Sequence, residues 1–333
     1  VTVLRPGPDS EPTEDPGPDL LDLDDHLLGR VEGDPSAVTV IMVGGLHGNE
    51  PAGVRAILSV FERLERERLA PRASLYGLAG NLPALRSGTR FVESDLNRMW
   101  GGAGRDDGAA DGRSRRALEG HMEAALSRAR GPVVLLDLHS TSSGGAPFSI
   151  VANTPENRRL ARSFPVPLVL GLEESVEGTL LTFFGRRGHA AIGFEGGAHD
   201  DPLTVEHHTA AIWLTLLACG ALWPEAIGDL AGHRRRLRHA ARGLPPVVEV
   251  SHRHPVRPDD RFRMAPGYAN FGPVSRGEVI AHDAAGAIAS PADGLLLLPL
   301  YQGEGEDGFF IGRSVPRAFL LAERVLRWFG SER

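Results

Sequence analysis

At 333 residues the chain is longer than a typical single domain of roughly 100 to 200 residues, and its 41% hydrophobic and 24% charged content is that of an ordinary globular protein. A net charge of -7 argues against bulk attraction to nucleic acid or anionic lipid, and no apolar run reaches the roughly 18 to 20 residues that span a bilayer. Every basic side chain other than histidine is arginine, which excludes Schiff-base chemistry on lysine within this chain. With no basic segment leading into an apolar stretch at the start, a cytoplasmic location is expected.

Residues 1–35 alternate Pro, Gly and acidic side chains around Leu20-Leu21-Asp22-Leu23 and read as a loosely held lead-in. Val38 to Val43 is a continuous apolar run, the pattern of a strand buried on both faces inside a parallel sheet. Val54, Ile57, Leu58, Phe61 and Leu64 then recur at helical spacing, with Pro51 suited to the first turn. Ala73 to Ala79 reads as the next strand, and the following stretch, Asn81 to Trp100, has no clean period but is dense in Arg, Asn and Asp, as site-bearing loops are.

Gly101 to Gly112 reads as mobile and Ser114 to Arg130 as a helix. Further strands are expected at Pro132 to Leu138, Phe148 to Ala152, Val166 to Leu170 and Ala190 to Phe194, with a covering helix over Pro202 to Leu222. Cys219 lies in that helical run and reads as a buried, inert thiol. Strands alternating with helices over residues 36–242 predict an α/β domain with a mixed, mostly parallel sheet flanked by helices, whose ligands sit outside the carboxyl ends of strands. After about Gly243 the runs shorten and Gly and Pro punctuate them, which predicts a smaller all-β module over residues 243–333 closed by a helix at Arg317 to Phe329.

Two strand ends carry groups suited to metal binding. Gly44-Gly45-Leu46-His47-Gly48-Asn49-Glu50-Pro51 places an imidazole and a carboxylate three residues apart where the first buried strand gives way to a helix. Alone, such a pair also fits a solvated loop. A second buried strand that ends in His139 supplies a third ligand, and two His with one Glu form a catalytic zinc set that leaves a position open for water. Asp137 shares a strand face with His139, where a carboxylate can orient a ligating imidazole. Glu195 ends another apolar run ahead of two glycines, at the same kind of edge. The adjacent His207-His208 and the pair His252 and His254 read as surface or packing residues rather than a second metal site.

Four elements in order, Gly44 to Glu50, Thr89-Arg90-Phe91 with Asp95-Leu96-Asn97-Arg98, Asp137 to Ser140, and Gly193-Phe194-Glu195-Gly196-Gly197, resemble the aspartoacylase and succinylglutamate desuccinylase family of zinc carboxypeptidase-like enzymes. The resemblance implies one zinc ion per chain on His47, Glu50 and His139, with Glu195 as general base and Arg90 stabilising the oxyanion. It further implies that Asn97 and Arg98 hold a substrate carboxylate; Asp95, in the same loop, reads as a supporting residue that orients an arginine. Arg186 and Arg187 stand near the position of an arginine that aspartoacylases use for the acyl-side carboxylate, and Gly308-Phe309-Phe310 stands where they present a tyrosine.

The function implied is deacylation of an N-acyl amino acid or related small amide bearing a carboxylate, with neither nucleic acid nor membrane as partner and room for a homo-oligomer. A zinc carboxypeptidase acting on peptide C-termini and a non-catalytic metal-binding regulatory protein remain as alternatives.

Overall fold

The computed structural model describes residues 2–3, 20, 23–102 and 108–316. Its strands are β1 (Thr2–Val3), β2 (Leu27–Val31), β3 (Thr39–Gly44), β4 (Ser74–Ala79), β5 (Val133–Thr141), β6 (Phe148–Ile150), β7 (Leu168–Leu170), β8 (Ala190–Ala198), β9 (Val247–Pro255), β10 (Arg263–Met264), β11 (Pro273–Val274), β12 (Val279–Asp283), β13 (Gly286–Ala289), β14 (Gly294–Leu297) and β15 (Asp307–Ser314). The helices are α1 (Ala52–Arg66), α2 (Leu82–Ser87), α3 (Ala110–Arg128), α4 (Pro155–Ala161), α5 (Leu180–Arg186), α6 (Leu203–Ala218) and α7 (Leu230–Ala240).

The centre of the sheet runs β4-β3-β5-β8, all parallel, and all six residues of β3 and all nine of β5 are buried. Burial on both faces explains why these strands read as unbroken apolar runs. One face packs under α1, α6 and α7 through Phe61, Ile212 and Trp213, and the other under α3 and α5 through Met122 and Phe184. α6 is apolar nearly all round because α1, α7 and the sheet enclose it.

Two features depart from the sequence reading. The expected lead-in contains β2, which pairs antiparallel with β4; buried Leu28 and Val31 anchor it, and His26 Nδ1 donates to Ala79 O at 2.8 Å. The C-terminal stretch is all-β, but its strands are divided between sheets. β9 pairs parallel with β7, and β15, β14 and β11 follow, so these strands extend the main sheet to twelve. Among the described residues, β10, β12 and β13 alone form a separate three-stranded sheet. The expected closing helix at Arg317 to Phe329 lies outside the described residues, as do residues 103–107 of the stretch read as mobile.

Candidate metal centre and active-site cleft

The turn between β3 and α1 is shaped by close backbone packing. Gly45 adopts φ +72°, a left-handed conformation that glycine takes without strain, and a Cβ on Gly48 would stand 2.0 Å from the Ala84 carbonyl carbon. Gly48 N donates to Arg90 O at 3.1 Å, which ties this turn to the arginine-bearing loop. The same turn aims His47 and Glu50 inward, while β5 brings His139 from the neighbouring strand end. Ligand atoms of the three lie within 4.8 Å of one another, and all three side chains are buried.

Both imidazoles present Nδ1 to Glu50: His47 Nδ1 is 2.8 Å from Oε1 and His139 Nδ1 is 3.1 Å from Oε2. Each Nε2 faces a different carboxylate, Asp95 Oδ1 at 3.1 Å for His47 and Asp137 Oδ2 at 3.0 Å for His139. Nδ1 of both rings thus faces a common point with a carboxylate behind each Nε2, the second carboxylate layer typical of metal-ligating histidines. The Ser140 amide donates to Glu50 Oε2 at 3.0 Å, and His208 Nε2 donates to His139 O at 2.8 Å, which pins the strand end. The donor set therefore fits a divalent cation: two imidazoles and one carboxylate, buried, oriented and convergent.

Charges interlock around this cluster. Burial opposes ionisation of Glu50, but the two imidazoles outweigh it and hold its carboxyl well below the usual range. His139 is likewise opposed by burial and raised well above the ordinary imidazole value by Asp137 and Glu50, so metal binding there displaces a proton. Arg90 pairs with Asp95 at 3.1 Å and approaches Glu50 Oε1 at 3.6 Å, while its buried Nε has no partner. Asp95 thus orients both His47 and Arg90, more than the supporting role read from the sequence.

Glu195 sits in register with His139 on the adjacent strand, β8 beside β5. Its Oε2 is buried without a hydrogen-bond partner, and burial, reinforced by Glu50 and Asp137, pushes its carboxyl up to about 8. These groups line an open cleft with about 940 Å³ of empty space, open solvent included. Leu298, Pro299, Gln302, Glu306 and Phe310, from the C-terminal stretch, form another part of its lining. Gln302 Oε1 accepts from Asn49 Nδ2 at 2.8 Å and from His199 Nε2 at 3.2 Å, which links that wall to the metal-binding turn.

Asn97 and Arg98 also line the cleft, though both are partly engaged by the protein. Asn97 Oδ1 accepts from Leu180 N at 2.9 Å. Arg98 pairs with Glu306 at 3.2 Å and Asp307 at 3.3 Å. Arg186 and Arg187 do not line the cleft: both are exposed at the end of α5, and Arg187 is taken up by Glu123 at 2.5 Å and by the Phe183 ring. α5 carries both side chains outside the cleft lining. His207 and His208 are packing residues, as expected, but His208 holds the His139 carbonyl, a contact across sheet and helix that no local pattern signals.

Residues 36–214, over half of the chain, match the model of the succinylglutamate desuccinylase/aspartoacylase catalytic domain. The chain belongs to this family. Among curated relatives, the succinylglutamate desuccinylase of Pseudomonas paraeruginosa (strain DSM 24068 / PA7) is 33% identical over 110 residues, 33% of each chain. The match therefore spans about a third of that relative's length. A solved succinylglutamate desuccinylase from Chromobacterium violaceum superimposes with TM-score 0.62 at 19% identity, over 89% of this chain and 96% of that one. The product-bound ectoine utilization protein EutE (DoeB) from Ruegeria pomeroyi gives TM-score 0.62 at 19% identity, over 84% and 86%. At these identities the likeness is one of fold, and it places the α/β architecture within the family's. No helix among the described residues is long and apolar enough to cross a membrane.

Proposed function

We propose that the chain is a zinc-dependent deacylase that hydrolyses the amide bond of an N-acyl amino acid or a related small amide. The observation that carries this reading is the convergence of His47, Glu50 and His139 beside Glu195, a buried carboxylate with an unpartnered oxygen. One zinc ion held by those three side chains would supply Lewis acidity and acidify a water molecule. Glu195 takes the proton from the attacking water and returns it to the departing amine nitrogen, a cycle suited to a carboxyl whose pKa lies near neutrality. Arg90, fixed by Asp95, sets a positive charge where the carbonyl oxygen becomes negative. Asn97 and Arg98 receive the substrate carboxylate, Arg98 by exchanging its pairing with Glu306 and Asp307 for the ligand.

The cleft wall contributed by Leu298 to Asp307 weighs against a peptide substrate, because it stands beside the metal cluster and favours small molecules. Metal analysis of the purified protein, with hydrolysis measured on N-acyl amino acids and on short peptides, tests the reading. Zinc at one per chain with cleavage of the former is expected. Preferential peptide cleavage would make it a carboxypeptidase, and bound zinc without hydrolysis of any amide would make it a binding protein.

A further inference from the structure

The cleft lining runs from the metal cluster and Glu195 past Gly193, Ile150 and Leu181 to Glu173, in the turn Glu173–Ser175 that follows β7. Glu173 is only 8% exposed, and its Oε2 has no hydrogen-bond partner. No ion pair to it forms among the described residues. Thr182 and Arg186 favour its charged form, but neither outweighs burial. Burial and the neighbouring Glu174 push the Glu173 carboxyl above its ordinary value, as expected of an acid that lacks a counter-ion. An uncompensated buried carboxylate is costly to keep, so its presence in a ligand cleft calls for a partner that arrives with the ligand.

The charges around it point the same way. Away from the metal cluster the cleft is lined by three carboxylates, Glu173, Glu306 and Asp307, and by one guanidinium, Arg98, which already pairs with the latter two. Recognition of a second carboxylate, on the acyl side, needs a free cation there. Arg186 and Arg187 do not supply it, and Phe310 lines the wall as an apolar ring.

We propose that Glu173 recognises a positively charged group of the substrate, a primary ammonium or guanidinium, so that the preferred substrates are N-acyl derivatives of basic amino acids rather than amides of dicarboxylic acids. This rests on the deacylase reading of the same cleft and narrows it. A charge-assisted hydrogen bond from an ammonium would give Glu173 the counter-ion that the described residues do not supply.

The test compares the zinc-loaded protein with its Glu173→Gln variant on three kinds of amide. These are Nα-acetylated diamino acids with two to four side-chain methylenes, their uncharged aliphatic counterparts, and N-succinyl and N-acetyl derivatives of acidic amino acids. The wild-type protein should favour one length of diamino acid, and Glu173→Gln should lower kcat/KM on it by about 10- to 100-fold while changing the uncharged counterpart little. Equal rates on charged and uncharged side chains, a preference for acidic ones, or an equal loss on every substrate would overturn the assignment. If no amide is cleaved, the deacylase reading fails. The subsite is then judged by calorimetric binding of free ornithine and lysine against norleucine. Tighter binding of the basic pair, lost in Glu173→Gln, would uphold it, and equal binding would end it.

Discussion

Replacing Glu195 by Gln should make the metal-free protein more stable and the zinc-loaded protein nearly inactive. The stability argument follows from Oε2, buried without a partner, and from a carboxyl raised from 4.5 to about 8 by burial, with Glu50 and Asp137 adding to the effect. A raised acid pKa means that the folded state binds this proton more tightly than the unfolded chain. Its penalty is therefore absent below about pH 4.5, grows as pH rises, and is complete above about 8. With about 1.4 kcal/mol per pH unit, ionisation in the unfolded chain costs the fold about 3 kcal/mol at pH 7 and about 4 kcal/mol at pH 8. Gln keeps the shape and has no charge to desolvate. Urea titrations of chelator-treated protein at pH 5 and pH 8 should show the variant gaining on the wild type chiefly at pH 8. Hydrolysis by the zinc-loaded variant should fall by about 10² to 10⁴, the range for loss of a general acid-base group. A variant that is less stable at pH 8, or equally shifted at both pH values, would mean that Glu195 has a partner and that the raised carboxyl is not the source of the effect.

Asp137→Asn should weaken zinc binding by about 10- to 100-fold, read by competition with a chromophoric chelator, because it removes the carboxylate 3.0 Å from His139 Nε2. Gly48→Ala should cost stability and metal together, since its Cβ meets the Ala84 backbone rather than a side chain that could swing aside; thermal melts and metal content measure both. Cys219 is half-buried just past the end of α6 rather than fully buried, and its thiol, pushed up to about 11 by burial, should react with a thiol reagent at pH 8 more slowly than in the unfolded chain. Fast labelling of the native protein would contradict its placement.

The parallel centre of the sheet was legible because β3 and β5 are buried on both faces, so apolar runs alone mark them. The three candidate ligands were legible for a related reason: each stands where such a run stops. β2 escaped notice because its short Leu27–Val31 run follows a region dense in Pro and acid, and its burial comes from α1 and β4, distant in sequence. The same holds for Glu173, whose surroundings Glu-Glu-Ser look like any exposed turn; only the fold turns the first of the two acids inward. Arg98 shows the converse limit, since its pairing with Glu306 and Asp307 spans more than two hundred residues and leaves no periodic trace.

The pairing of β9 with β7 has a consequence for how the chain can be divided. Cutting before β9 would leave the backbone amides and carbonyls of β7 without a neighbour on one side, a row of unmet donors and acceptors that invites another chain to add itself. The first three quarters of the chain, expressed alone, should therefore stick to its own copies, and the strands from β9 onward act as the plug that prevents it.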